Sequence, residues 1–175
     1  MSIRWTKKVP IMILLLLSGC AIFKPSQPAE KEIVDPLVER NAQWQEQVDR
    51  GNWAFQNRDI PQAIMAYQAA LAIKPESSDI QRKIAEIYFQ QQEYEKARDA
   101  FVAFLKLKPK DTIVRNYLGY TYEKLTDYEA AASEYEQTVK YDPNNLYALN
   151  HLGLAYQQTQ RLDDAERALR KVLEL

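Results

Sequence analysis

From residue 35 onward the apolar positions of the chain return every 34 residues. Tyr67, Phe101, Tyr135 and Leu169 form one series, and Ala63, Ala97, Ala131 and Ala165 a second. Tyr88, Tyr122 and Tyr156 repeat at the same interval, as do Tyr94 and Tyr128. Gly51, Gly119 and Gly153 share one register position, with Ala85 in the missing slot. Pro75, Pro109 and Pro143 punctuate the pattern. Six series in one register mark an internal repeat, and a period in this range belongs to stacked supersecondary units.

The spacing inside each unit predicts two helices packed antiparallel. Where they cross closely only Gly or Ala fits, which accounts for the Gly51 and Ala63 series. Tyrosine and phenylalanine fill the space between neighbouring helices. Proline ends the second helix and opens the turn to the next unit. Start signals agree: Asp59 precedes Ile60-Pro61, Ser78 has Gln81 three residues on, and Asp111 precedes Thr112. Asp35-Pro36 reads as an N-cap followed by proline at the first helical position. From there Leu37, Trp44, Val48 and Phe55 lie along one helical stripe. A single unit cannot bury its apolar face, so stacking has to supply the core.

The pattern resembles the tetratricopeptide repeat. Its clearest copy is Leu118-Gly119 with Tyr122, Ala131, Tyr135 and Pro143; the next is Leu149, Leu152-Gly153, Tyr156, Ala165 and Leu169. The resemblance implies an all-α fold, a right-handed superhelical solenoid of about four helix-turn-helix repeats at 44–77, 78–111, 112–145 and 146–175, within a repeat domain at 34–175. Repeat 1 departs from the pattern, with Arg50 where Leu is usual and Ala54 where Tyr is usual. In repeat 4, Leu169, Val172, Leu173 and Leu175 are expected to leave an apolar face, which predicts self-association through the C-terminal repeat.

By the same resemblance the first helices of the repeats line a concave groove that takes partner proteins or peptides. Asn52 and Phe55 face it from repeat 1, and Arg82, Lys83, Glu86 and Phe89 from repeat 2. Asn116, Tyr117 and Tyr120 follow from repeat 3, and Tyr147, Asn150, His151 and Leu154 from repeat 4. Tyr67, Tyr88, Tyr94, Tyr122, Tyr128, Tyr135 and Tyr156 take framework positions and are expected in the core. Tyr117, Tyr120 and Tyr147 stand outside the framework, beside Asn116 and Asn150 at one shared position. Asparagine both donates to and accepts from a peptide backbone, and tyrosine gives contact area at small entropic cost. The clamp with which chaperone-binding members hold a C-terminal carboxylate is not reproduced: Asn52 fits, while Val48, Lys83, Ile113 and Tyr117 do not.

The first residues read differently. Arg4, Lys7 and Lys8 precede the apolar run VPIMILLLL at 9–17, which is bounded by Ser18-Gly19-Cys20. A basic start, a short greasy middle and small residues at the cut describe a signal peptide at 1–19, and the run is shorter than the ~20 residues a membrane span needs. Leu17-Ser18-Gly19-Cys20 resembles the lipobox of bacterial lipoproteins. That resemblance implies cleavage before Cys20 and its modification by a diacylglyceryl thioether and an N-acyl group, a multi-chain anchor. Ala21, where Asp would favour inner-membrane retention, implies the outer membrane, with the body facing the periplasm. Residues 20–33 then form the lipidated cysteine and a flexible tether containing Pro25 and Pro28.

Composition narrows the function. The chain carries 23 basic and 24 acidic residues, one histidine and one cysteine. Beyond the first 19 residues there are 20 basic and 24 acidic residues, a balance that disfavours nucleic acid as a partner. Lys106, Lys108 and Lys110 are the one basic cluster, read as compensation at a helix C-terminus. With His151 single and Cys20 claimed by lipid, a triad, a metal cluster or a thiol nucleophile lacks its parts. No enzyme, cofactor or metal is expected. The sequence therefore points to an envelope scaffold or adaptor with other envelope proteins as partners. The alternative is an assembly factor similar to the tetratricopeptide lipoproteins that pilot secretins for type IV pili.

Overall fold

The computed structural model describes residues 35–175, which form one compact unit. The expected signal peptide, Cys20 and the tether lie outside the described residues. Eight helices follow one another: α1 (Pro36–Gln56), α2 (Ile60–Ile73), α3 (Ser78–Gln90), α4 (Tyr94–Leu107), α5 (Thr112–Lys124), α6 (Tyr128–Tyr141), α7 (Leu146–Gln158) and α8 (Leu162–Glu174). Each odd helix packs on the even helix after it, and each even helix on the next odd one; α5 also touches α7. The result is an all-α, right-handed superhelical solenoid. Among the described residues, no helix is long and apolar enough to cross a membrane.

The helix starts follow the repeat. Asp35 accepts a hydrogen bond from Leu37 N at 2.9 Å, Asp59 from Gln62 N at 3.2 Å and Asp111 from Val114 N at 2.9 Å. Each such cap contributes about 1 kcal/mol by satisfying an otherwise orphaned N–H. Ser78 is not a cap: it is the first residue of α3, and Ser77 takes the N-cap position without a side-chain bond. The period explains the difference, because Ser77, Asp111 and Asn145 stand 34 apart. Gln81 reaches back instead to the Pro75 carbonyl, at 2.9 Å.

The glycine positions are set by rings. A Cβ on Gly51 would meet the Tyr67 ring at 2.5 Å, one on Gly119 the Tyr135 ring at 2.7 Å, and one on Gly153 the Leu169 side chain at 2.6 Å. These three glycines thus meet large side chains of the partner helix, not small ones. The glycine of each first helix is the seat for the large side chain of its partner helix. Tyr67, Phe101 and Tyr135 are fully buried there. The framework tyrosines divide accordingly: Tyr67, Tyr135 and Tyr156 are core, while Tyr88, Tyr94, Tyr122 and Tyr128 are half-buried.

The stripe on α1 is covered only in its middle. Val48 is buried and Trp44 half-buried, but Leu37 and Phe55 are exposed. At the Leu37 end the cause is length: α1 has 21 residues against 14 in α2, so at ~1.5 Å per residue it outruns its partner by about 10 Å. The overhang is tied down by Arg40, which donates to the Ile73 carbonyl at 3.1 Å and covers the end of α2.

Inside each repeat the two helices join through a residue in the left-handed region, at Arg58, Gln92, Thr126 and Gln160 (φ 60–61°). The hydrogen bonds are those of a Schellman ending: at the third turn, Asp127 N donates to the Tyr122 carbonyl and Thr126 N to the Glu123 carbonyl, both at 2.9 Å. A non-glycine residue there costs about 1–2 kcal/mol, most of all a β-branched one. Thr126→Gly is therefore expected to stabilise the fold by about 1 kcal/mol. Thermal or urea unfolding monitored by circular dichroism measures it, and an unchanged or lowered midpoint would refute the assignment.

Candidate functional site

The odd helices share one face, and their aromatic side chains meet across repeats. Phe89 on α3 packs edge-on against Tyr117 on α5 (centroids 5.4 Å apart) and lies 5.8 Å from Tyr120. Tyr117 stacks on buried Phe101 at 5.9 Å and 11° between planes. Further along, Tyr147 and His151 on α7 are 4.2 Å apart, and His151 also meets Tyr120 at 5.9 Å. Phe89, Tyr117, Tyr120, His151 and Tyr147 therefore form one aromatic strip over three repeats. Edge and offset contacts of this kind add about 0.5–1.5 kcal/mol per pair beyond burial.

Two hollows open between the odd helices. One, of about 240 Å³, is lined by Ile113, Asn116, Tyr117 and Tyr147. The other, of about 150 Å³, is lined by Phe55, Tyr67, Lys83, Glu86, Ile87 and Gln90. The larger suits one apolar side chain. It also carries a polar handle. Asn116 Nδ2 donates weakly to Asn145 Oδ1 at 3.3 Å, while Asn116 Oδ1 is buried without a partner. An orphaned carbonyl oxygen in a hollow costs about 1–3 kcal/mol and is relieved by a ligand N–H or O–H.

Several residues expected to contact a ligand are already engaged. Asn52 Oδ1 accepts from the Tyr67 hydroxyl at 2.9 Å, so its role is to hold that ring over Gly51. Arg82 and Glu86 pair with each other at 2.7 Å along one helix face. His151 Nδ1 lies 2.9 Å from Glu123 Oε1; a carboxylate only accepts, so Nδ1 carries the proton. Phe89 is half-buried, Tyr117 and Tyr147 remain exposed on the groove side, and Asn150 is exposed with no side-chain hydrogen bond among the described residues.

Three contributors escaped the sequence reading as site residues. Ile113 is 58% exposed at the rim of the larger hollow; its signal was an apolar residue on a groove position otherwise noted only for lacking clamp chemistry. Glu123 fixes the His151 ring; it stands 34 residues after Phe89, and that groove register was its signal. Tyr135 is core by burial, yet its ring lies 5.5 Å from His151 and 6.3 Å from Tyr147. No group of three or more residues able to hold a metal occurs among the described residues.

Three phenols are raised above the ordinary value. Burial, and after it the Glu123 carboxylate, pushes Tyr147 up to about 12 and raises Tyr135 as well. Burial and the hydrogen bond to Glu136 raise Tyr156. The raised folded-state values mean that above pH ~10 the unfolded chain loses phenolic protons that the folded chain keeps. Stability from these groups is thus full below pH ~10 and declines as pH climbs toward the folded values. Phenolate absorbance at alkaline pH is expected to show a late-titrating fraction that Tyr147→Phe reduces, with unfolding following it; a single titration near 10 would contradict the packing.

One model of the tetratricopeptide repeat matches residues 54–117 and a second matches residues 118–175. No curated protein matches the sequence. Among solved structures, the crystal structure of MamA superposes with a TM-score of 0.66 at 21% identity, covering 79% of this chain and 81% of that one. MamA AMB-1 gives 0.68 at 19% identity over 74% of this chain and 70% of that one. A tetratricopeptide repeat protein from Parabacteroides merdae ATCC 43184 gives 0.69 at 21% identity, covering 76% of this chain and 53% of that one. At these identities the likeness is one of fold.

Proposed function

We propose that this chain, which belongs to the tetratricopeptide repeat family, is a non-catalytic scaffold that seats an extended segment of an envelope protein on the aromatic face of its odd helices. The observation that carries this is the hollow lined by Ile113, Asn116, Tyr117 and Tyr147, with Asn116 Oδ1 buried beside it and unpaired. An apolar side chain fits that space, and the N–H of the same or the next residue satisfies the oxygen. Flanking aromatic rings and the free Asn150 amide supply contact on either side, in keeping with the enrichment of rigid aromatics at binding hot spots.

The triple variant Tyr117→Ala, Tyr120→Ala, Asn150→Ala is expected to abolish partner capture from solubilised membranes while keeping helicity by circular dichroism. Ile113→Asp leaves the aromatic packing alone, because Ile113 is exposed, and is expected to weaken capture by about tenfold or more. Capture unaffected by both would end this reading.

Attachment to the membrane belongs to the same proposal. Cys20, cut free of residues 1–19 and acylated, would hold the body at the outer membrane, facing the periplasm, on the tether formed by residues 21–33. Lipid on one residue with several chains gives a stable anchor, and thirteen extended residues reach roughly 45 Å. Cys20→Ala is expected to move the protein from the salt-washed membrane pellet into the soluble fraction; a variant that still pellets would remove the anchor from the account.

A further inference from the structure

In every repeat but the last, the outward face of the second helix is covered by the following first helix. The face of α6 bearing Ala132 and Tyr135 is closed by Ala148, Leu152 and Ala155 of α7. On α8 the corresponding face stays open among the described residues: Leu162 is 61% and Leu173 87% exposed. With Glu166, Leu169 and Arg170 between them they line a depression of about 480 Å³. Leu162 and Leu173 stand out rather than Val172, which is half-buried.

The outer face of α1 cannot be the cover. The positions that stack on the preceding repeat are Ile80, Val114 and Ala148 and, one turn on, Ile84, Leu118 and Leu152, all buried. Their counterparts on α1 are Glu46 and Arg50, both exposed. Laying them on Leu162, Leu169 and Leu173 would take two charges out of water where every other repeat places apolar side chains, so head-to-tail stacking of copies is disfavoured.

The face of α8 is instead complementary to itself reversed. Read forward it is Leu162, Glu166, Leu169, Arg170, Leu173. Turned end for end about a point between residues 167 and 168, Leu162 meets Leu173, and Glu166 meets Leu169 and Arg170. The flanking charges obey the same symmetry. Asp163, Asp164 and Glu166 lie in the first half, Arg170 and Lys171 in the second and Arg167 at the axis, so Asp164 falls opposite Lys171 and Glu174 opposite Arg161. An antiparallel pair sets Asp164 against Lys171 and Arg161 against Glu174; a parallel pair sets like against like.

We propose that two copies of this chain pair through α8, antiparallel about a two-fold axis, into a closed tail-to-tail dimer. The contact is isologous and closes at two. As a two-helix contact it falls at the small end of specific interfaces, which makes it reversible.

Light scattering on residues 35–175, a self-contained unit without cysteine, and on the full chain in detergent is expected to give twice the monomer mass at about 100 µM. Leu162→Glu with Leu173→Glu, both exposed and so neutral to folding, is expected to return the mass to one copy. Glu166→Arg alone and Arg170→Glu alone are each expected to be monomeric, and an equimolar mixture of the two to recover a heterodimer. Under mild oxidation Glu166→Cys, near the axis, is expected to cross-link to itself. Leu173→Cys is expected to link only to Leu162→Cys. A monomeric wild type overturns the proposal, as does self-linking of Leu173→Cys, or no recovery in the mixture. A full chain that stays monomeric while residues 35–175 dimerise assigns the face to residues 1–34 and overturns it too.

Discussion

A ring resting on a glycine is the contact on which this molecule depends. The distance between the two helices of a repeat is the thickness of Tyr67 over Gly51, of Tyr135 over Gly119 and of Leu169 over Gly153. A methyl group at Gly119 would occupy the place of the Tyr135 ring, which is enclosed on all sides and cannot swing out. Overpacking of this kind costs about 1–3 kcal/mol. Repeat 2 meets the constraint with Ala85 beneath the series position held by Phe101. Once this spacing is set, the remaining apolar residues find partners in the next repeat, and the stack propagates.

The recognition face is built outward from the same rings. Tyr117 stands on Phe101, and His151 with Tyr147 stands beside Tyr135. The groove aromatics are not loose side chains on a solvated surface. Glu123 holds the histidine from one side and the tyrosines hold it from the others. A preorganised surface loses little freedom when a ligand arrives, which is where rigid aromatic faces gain over flexible ones. The buried Asn116 carbonyl beside the larger hollow is unpaired among the described residues, and it gives a greasy patch a direction.

Much of this was legible from spacing alone. The period located all eight helices, because residues that recur at 34 must do the same work in each copy, and Asp35, Asp59 and Asp111 cap where their neighbours require. What spacing hides is pairing. The glycine series and the ring series were both visible, yet nothing in their separation says that one is the seat of the other. Asn52, Arg82 and Glu86 have groove-facing register, but a side chain with a partner within reach takes it, and Tyr67 and the Arg82–Glu86 pair consume them. Ser78 missed its cap by one position because two adjacent serines look alike until the period of Asp111 and Asn145 is applied. The left-handed residues at Arg58, Gln92, Thr126 and Gln160 carry no glycine to announce them. The turn is imposed by the helices it joins.

Phe101 belongs to two structures at once. Its edges fill the interior of repeat 2, and its face is the floor on which Tyr117 lies. Tyr135 serves in the same double capacity one repeat later. Folding and recognition in this chain therefore draw on common atoms, and neither can drift alone during evolution. A substitution invisible from outside would tilt the floor and re-aim the rings above it. Lineages that diverge in what they hold should thus carry part of that divergence beneath the surface, in residues no ligand ever touches.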